Sequence, residues 1–349
     1  MKAVILVGGE GTRLRPLTLG TPKPVVPVVD RPFLRHQLDL LLRVGVRDVV
    51  FSVAYRPERI EAIFGDGASL GMTIRYAFEE TPLGTGGAVK NAEPHLDQRT
   101  IVLNGDVLTD VDLPGVLAAH LSAGAAATIV LTPVPNPAAY GLVETEGGRV
   151  RRFLEKPDPA QITTDTINAG IYILETRVLE LMPPRVNHSI ERAFFPALLA
   201  RGDLVLGPVH RGYWIDIGTH EKYRQVHRDI LSGRFPVRLD GAPREGGVVH
   251  PGARLDSAAR LLAPFYIGPG CDVSAGAEIG PGTVLVGGVR LERGARVADS
   301  VLWPGTSIGA EARIDGALLG GNVRVGRNAQ VVGAVLGEGS VISDYSHVP

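Results

Sequence analysis

From Val249 onward an apolar residue returns every six positions: Val249, Leu255, Leu261, Ile267, Val273, Ile279, Leu285, Leu291 and Val297. After a one-residue slip the series resumes at Leu302, Ile308 and Ile314, and then at Val325 and Val331. Four places after many of these stands a small residue, among them Ala253, Ala259, Cys271, Ala277, Thr283, Ala295, Thr306, Ala312 and Ala329. Gly directly follows Ile267, Ile279, Ile308 and Val325. A helix repeats at 3.6 residues and a plain strand at 2. A period of six with small corner residues is that of a hexapeptide β-helix, in which each short strand points one apolar residue inward. A Gly-rich loop region would not hold such a register.

The preceding part alternates strand-like and helix-like runs. Lys2–Val7 reads as a buried strand ending in a Gly loop, Pro32–Val44 as an amphipathic helix, Asp48–Ala54 as a strand and Pro57–Phe64 as a short helix opened by Pro. Thr73–Phe78, Thr100–Leu103 and Ala127–Val134 read as strands, Ser189–Leu199 and Thr219–Ile230 as helices. This alternation predicts an α/β domain with a mixed, mainly parallel sheet, whose ligands bind at the carboxyl ends of the strands. The Gly-, Pro- and Arg-rich stretch after Leu231 reads as a linker. The expected division is a catalytic domain at 1–232, a linker at 233–247 and a β-helix domain at 248–349.

Composition narrows the function classes. Lys+Arg 36 against Asp+Glu 37 leaves a formal net charge of −1, so a nucleic-acid partner is not expected, while a local phosphate site remains open. With one cysteine, Cys271, no intrachain disulfide can form, and the thiol fits a reducing compartment. No apolar stretch reaches the ~20 residues of a membrane span. A soluble cytoplasmic enzyme or binding protein is expected, with no membrane partner.

Four motifs could carry chemistry. The first is Gly8-Gly9-Glu10-Gly11-Thr12-Arg13-Leu14-Arg15-Pro16, followed by Pro22-Lys23-Pro24. Its backbone amides suit phosphate oxygens, and Arg13 with Lys23 could neutralise a triphosphate. Neither the Walker A pattern nor the dinucleotide fingerprint is present. The plain alternative is a Gly turn with surface cations. The second, Glu79-Glu80-Thr81-Pro82-Leu83-Gly84-Thr85-Gly86-Gly87, either admits a flat ligand or simply turns into a helix near Thr85. The third is Asn104-Gly105-Asp106 at a strand's end, with Asp216 of Trp214-Ile215-Asp216 as a distant partner. Two carboxylates with phosphate oxygens and waters make a Mg²⁺ shell. Asp216 could equally cap the following helix. The fourth is Glu155-Lys156-Pro157, an acid and a base that could divide hydroxyl and phosphate binding, or a solvated pair. Asn168-Ala169-Gly170 and Tyr140-Gly141 could line a pocket. No Ser-His-Asp order, CxxC or HExxH occurs.

These motifs, in this order over ~220 residues, resemble the sugar-1-phosphate nucleotidyltransferases, and the period-six tail resembles the left-handed β-helix that several members carry. EETPLGTGGA, NAGIYIL, SIERAFFPALLA and WIDIGTHEKY look like the branch that joins GTP to mannose 1-phosphate. Gly86-Gly87 also resembles guanylyltransferases acting on heptose 1-phosphate; thymidylyl- or uridylyltransferases of glucose 1-phosphate are a further alternative.

The resemblance implies a Rossmann-like catalytic domain in which the sugar phosphate attacks the α-phosphorus of the triphosphate and pyrophosphate leaves. It implies that Asp106 and Asp216 hold Mg²⁺ and that Arg13 and Lys23 stabilise pyrophosphate. Leu6, Gly8, Gly9, Gly11, Thr12, Gly84, Thr85, Asn104 and Gly105 would border the nucleotide. Glu80, or Glu79, would pair with guanine, whose N1–H and amine a carboxylate can accept together. Lys156 would hold the sugar phosphate, and Gly141, Glu155 and Asn168 would read the sugar. Arg15 is expected to be structural. The β-helix would serve homo-oligomerisation. A non-catalytic relative would be expected to lack part of the Arg13, Lys23, Asp106, Lys156 and Asp216 set, and all five are present. An acyltransferase tail would need a general base, and no His lies between Arg254 and Ser346.

Overall fold

Short apolar runs bounded by Gly and charged residues supply the strands of the first sheet: β1 (Lys2–Leu6), β2 (Asp48–Val53), β3 (Thr73–Phe78) and β4 (Arg99–Asn104). These four are mutually parallel in the order β3-β2-β1-β4. The computed structural model describes residues 1–155, 158, 160 and 162–349, the Glu155 side chain excepted. The chain divides into two compact units, Met1–Gly9 with Leu34–Asp216, and Glu10–Phe33 with Ile217–Pro349.

In the first unit the ribbon strand β5 (Val107–Thr109) follows β4 directly. Then come β6 (Ala127–Pro133), β7 (Gly141–Glu146), β8 (Arg149–Glu155), β9 (Thr166–Glu175), β10 (Val205–Leu206) and β11 (Trp214–Asp216). The sheet continues from β4 as β9-β6-β10-β8-β7, with β9 antiparallel to both β4 and β6. The expected mixed, Rossmann-like sheet is therefore present, its parallel half built from β1–β4. Its centre is closed on both faces: Val4, Val50, Val102, Ile129 and Tyr172 are fully buried. Helix α1 (Phe33–Arg43), α2 (Pro57–Phe64) and α3 (Gly84–Ala92) connect the parallel strands, so the carboxyl ends of β1, β3 and β4 share one edge with the start of α3. The run read as one helix from Ser189 begins as a π-turn at Ile190–Phe194. It becomes α-helical only at Phe195–Arg201, because Pro196 supplies no amide to the first turn.

In the second unit, the helix His220–Leu231 is N-capped by Thr219, whose hydroxyl oxygen accepts from Lys222 N at 3.3 Å. From Gly247 three parallel sheets wind as a left-handed parallel β-helix. The inward residues Ile267, Ile279, Leu285, Leu291, Leu302 and Ile308 are fully buried, each worth roughly 1.5–3 kcal/mol relative to exposure. The single slip after Val297 is the first of several. Rungs lie eighteen residues apart at Asp272 and Arg290, and seventeen at Ser307 and Arg324. Each later coil loses a residue at the same corner, turned by Asp299, Gly316 and Gly333 in the left-handed region. The period therefore breaks once per coil, and Leu319 and Leu336 take the inward positions that the strict spacing skips. The stretch read as a linker carries a strand, Ala242–Arg244, paired with Gly247–Val249.

Candidate active site

The ribbon between β5 and β11 sets the site's geometry. Its antiparallel register places Asp216 opposite Val107, so Asp106 lies one residue from the cross-strand partner of Asp216. Cross-strand partners stand ~4.5–5.5 Å apart between Cα atoms. Two acidic residues far apart in sequence thus stand near one another along the backbone, Asp106 in the turn that leads into β5 and Asp216 on β11. Asp216 Oδ1 accepts the Tyr140 hydroxyl at 3.1 Å, and Tyr140 packs edge-on against Trp214 with ring centroids 5.8 Å apart. Among the described residues no three or more His, Cys, Asp or Glu gather as a metal centre. A pair of carboxylates nonetheless fits Mg²⁺, which takes hard oxygen donors and binds through one or two carboxylates with the rest of its shell from phosphates and water.

Asn104-Gly105-Asp106 is braced from two sides. Gly105 N donates to Leu6 O at 2.9 Å, and a Cβ at Gly105 would lie 2.4 Å from that oxygen. The strand end can approach β1 only because residue 105 has no side chain. From below, Gln37 on α1 gives both amide N–H groups to the turn, at 2.7 Å to Asn104 O and 2.7 Å to Val107 O. Gln37 Oε1 and Asn104 Oδ1 are buried without a partner among the described residues, and a cavity of about 10 Å³ borders both residues. Gln37→Leu leaves two carbonyls without donors. It is expected to cost about 1–3 kcal/mol of stability, measured by denaturant unfolding, with no change in the slope.

The proposed sugar residues meet at a bulge. Gly141 on β7 is the register partner of Glu155 on β8, and Ile167 on β9 opposes Leu142. Asn168 follows Ile167, so Gly141, Glu155 and Asn168 converge, with Tyr140 leading from them to Asp216. The β9 register shifts between Asn168 and Tyr172, where Asn168 Oδ1 accepts from Gly170 N at 2.9 Å and its Nδ2 donates to Tyr172 OH at 2.7 Å. Gly170 has φ +72, and a Cβ there would meet Asn104 Nδ2 at 2.8 Å, so the bulge and the Asn104 turn abut. Lys156 lies outside the described residues, as does the side chain of Glu155.

The second loop is held from within. Glu79 accepts from Ser52 Oγ and Leu83 N, both at 2.9 Å, whereas Glu80 is exposed. Of the two acids only Glu80 presents its carboxylate outward. A Cβ on Gly84, Gly86 or Gly87 would strike the backbone of residues 186–188, and Gly86 N and Gly87 N both donate to His188 O. These glycines admit a protein segment. Thr85 Oγ1 donates to Glu191 Oε2 at 2.7 Å and accepts from Ile190 N, so its hydroxyl binds the same segment. Glu191 also accepts from Ser189 Oγ and from Tyr172 OH, whose phenol burial holds protonated, well above the usual range. At the end of β1, a Cβ on Gly8 would sit 3.3 Å from Ala54 Cβ, while one on Gly9 would meet nothing within 4 Å.

Gly11, Thr12, Arg13 and Lys23 belong to the second unit. Gly11 O accepts from Thr18 Oγ1 at 2.8 Å and from Leu14 N at 2.9 Å, closing the short helical turn Thr12–Leu14. Arg13 is exposed and Lys23 is 8% exposed. Arg15 forms an exposed ion pair with Glu10 at 3.0 Å.

Sequence reasoning missed Gln37, Tyr140, Tyr172 and Glu191 as the residues that hold the site's parts in place. Gln37 had a readable signal: it is a polar residue inside the apolar stripe of α1 between Leu34 and Leu38. Tyr140 reaches Asp216 across 76 positions and Glu191 reaches Thr85 across 106, while Tyr172 bonds Asn168 and Glu191 only because the bulge brings them together; none leaves a local pattern.

Residues 2–233 match the Nucleotidyl transferase family, and residues 261–349 match the GMPPB C-terminal domain. The chain is 44% identical over 300 residues to mannose-1-phosphate guanylyltransferase of Mycobacterium tuberculosis, covering 84% of this chain and 81% of that one. It is 32% identical to the UTP–glucose-1-phosphate uridylyltransferase of Synechocystis, with 87% of each covered. Among solved structures, HddC from Yersinia pseudotuberculosis complexed with GMP-PN superposes with a TM-score of 0.57 at 30% identity. That match covers 65% of this chain and 98% of HddC.

Proposed function

The chain belongs to the nucleotidyl transferase family, and we propose that within it the enzyme transfers a guanylyl group from GTP to mannose 1-phosphate, releasing pyrophosphate and GDP-mannose. The observation that carries the reading is the Asp106–Asp216 ribbon beside the Gly141–Glu155–Asn168 convergence. The higher identity to a mannose-1-phosphate guanylyltransferase than to a uridylyltransferase supports the base and the sugar.

A phosphate oxygen of the sugar phosphate attacks the α-phosphorus in line, the bond to the β-phosphate oxygen breaks, and pyrophosphate departs. Such transfers need positioning and charge neutralisation more than covalent help. Asp106 and Asp216 would hold Mg²⁺, which when bound supplies Lewis-acid charge neutralisation at the phosphates. Tyr140 keeps Asp216 oriented through its hydroxyl. Arg13 and Lys23 stabilise the leaving pyrophosphate, with Gly11 and Thr12 giving the loop its tight turn. Gly8 and Gly9 admit the nucleoside beside Leu6, and Gly9 is the glycine that packing does not require. Gly84, Thr85, Asn104 and Gly105 form the floor under it through their backbone. Glu80 accepts the guanine N1–H and amine. Lys156 binds the sugar phosphate, and the Gly141 amide with Glu155 and Asn168 reads hydroxyls.

Residues 1–232 then carry the catalysis, 233–247 join the parts and 248–349 form a β-helix through which copies associate. No helix among the described residues is long and apolar enough to cross a membrane. The one thiol, Cys271, is buried and pushed up to about 11 by that burial, which suits a protein kept in the reducing cytoplasm without redox chemistry.

The test is a panel of the four nucleoside triphosphates against mannose, glucose and heptose 1-phosphates, scored by pyrophosphate. GTP with mannose 1-phosphate should give the highest kcat/KM. Preference for another pair would move the enzyme to a different branch. Glu80→Gln replaces a double acceptor by a donor and an acceptor. It is expected to cut the preference for GTP over ATP about tenfold or more, read from the ratio of kcat/KM values.

A further inference from the structure

The segment Glu10–Phe33 lies within the catalytic family match, yet it folds with Ile217–Pro349. It has little structure of its own: two three-residue turns, Thr12–Leu14 and Lys23–Val25, and a ribbon of two-residue strands, Pro27–Val28 with Arg31–Pro32. Elements this short do not persist alone in water. Their order has to come from what they pack on.

What they pack on includes a buried hydrogen-bonded chain. Trp303, which directly follows a β-helix strand, donates its indole N–H to Tyr223 OH at 2.9 Å, and Tyr223 in turn donates its hydroxyl to Pro27 O. Tyr223 is fully buried and Trp303 is 4% exposed, so neither bond has water as a ready substitute. One turn along the same helix, His227 Nδ1 accepts from Val29 N at 3.3 Å, and its ring lies edge-on to Tyr223 at 4.8 Å. The helix is itself fastened to the coils: Arg224 donates to Gly316 O at 2.7 Å and Arg228 pairs with Asp299. A separate tie lies at the coil's corner, where a Cβ on Gly337 would come within 3.1 Å of Pro16.

We propose that the β-helix acts as the mount for the loop carrying Arg13 and Lys23, with Tyr223 and Trp303 as positioning residues that transmit its order through the helix His220–Leu231. The loop's role toward the triphosphate rests on the reading given under Proposed function. The mount itself does not. On this view the β-helix contributes to triphosphate affinity as well as to self-association, and damage to a coil remote from the sequence motifs weakens binding of one substrate only.

Tyr223→Phe, Trp303→Phe and the double variant, each made in the full chain, test this. Hydrogen exchange should show faster exchange for amides within 12–28, including Leu14, Leu17 and Val26, with the β-helix coils unchanged. KM for the triphosphate should rise about tenfold or more while KM for the sugar phosphate stays within about twofold, because the proposed sugar residues lie in the other unit. Since the two bonds act in series, the double variant should be no worse than Tyr223→Phe. If Trp303→Phe does not fold, Tyr223→Phe, which removes only one oxygen, carries the test. A folded Tyr223→Phe with unchanged protection at 12–28 overturns the mount. So does loss of protection spread evenly over the β-helix with both KM values rising together. Selective loss of protection in a protein whose unsubstituted form transfers no nucleotide would sink the proposed function and leave the mount standing.

Discussion

Asp106→Asn is expected to lower pyrophosphate release by about a hundredfold or more, the loss typical when one group that stabilises developing charge is removed. The substitution keeps the shape of the side chain and removes its charge. The turn that carries it stays braced by Gly105 N on Leu6 O and by the two Gln37 bonds, none of which uses the Asp106 carboxylate. Activity should collapse in a protein that still folds around this brace, and a separate titration with Mn²⁺ should show weakened binding. Asp216→Asn is expected to behave alike, because the Tyr140 hydroxyl can donate to an amide oxygen as well as to a carboxylate. Residues that act as a unit are not additive, so the double variant should fall little below either single one. Turnover near that of the unsubstituted enzyme in Asp106→Asn would remove the ribbon from the mechanism.

Gly105→Ala should damage both stability and rate. The new methyl would start 2.4 Å from Leu6 O and 3.0 Å from Val7 Cγ1, backbone and core atoms that cannot swing away. Overpacking of this kind costs about 1–3 kcal/mol. The strand end must shift, and Asp106 shifts with it; a displacement near ~1 Å is enough for about a hundredfold loss in rate. Denaturant unfolding and steady-state kinetics together check the pair of effects. Gly9→Ala is the contrast, since its methyl meets nothing within 4 Å. It should unfold like the unsubstituted protein, and any rise in KM for the triphosphate then reports ligand contact alone. Equal stability in the two variants would contradict the packing argument at Gly105.

How much of this was legible beforehand depended on whether the cause was local. Helix Pro57–Phe64 and strand Thr73–Phe78 have the bounds expected from their sequence, because an N1 proline and alternating β-rich residues act within a few positions. The π-turn at Ile190–Phe194 differs from the helix expected there: Pro196 marks a break within the run, but the Thr85 hydroxyl that accepts from Ile190 N lies 105 positions away. For the candidate site, the residue types at Asp106 and Asp216 could be picked out and paired. The Tyr140 bond between Asp216 and the Gly141 corner could not. The Gly-rich second loop showed the same limit: its glycines are filled by residues 186–188, which no spacing within the motif foretells.

The chain alone determined that residues from Val249 on would coil, and where its acidic, basic and glycine-bearing loops would fall along the strands, since side-chain alternation and corner size are set within each six-residue step. Only the folded molecule decided the register of β5 on β11, the Gln37 clamp, and the allegiance of Glu10–Phe33 to the β-helix. Those rest on pairings between residues far apart in sequence, from the Gln37 bonds to Asn104 and Val107 to the contact of Pro16 with Gly337, fixed by packing and hydrogen-bond geometry that exist only after the chain has closed on itself.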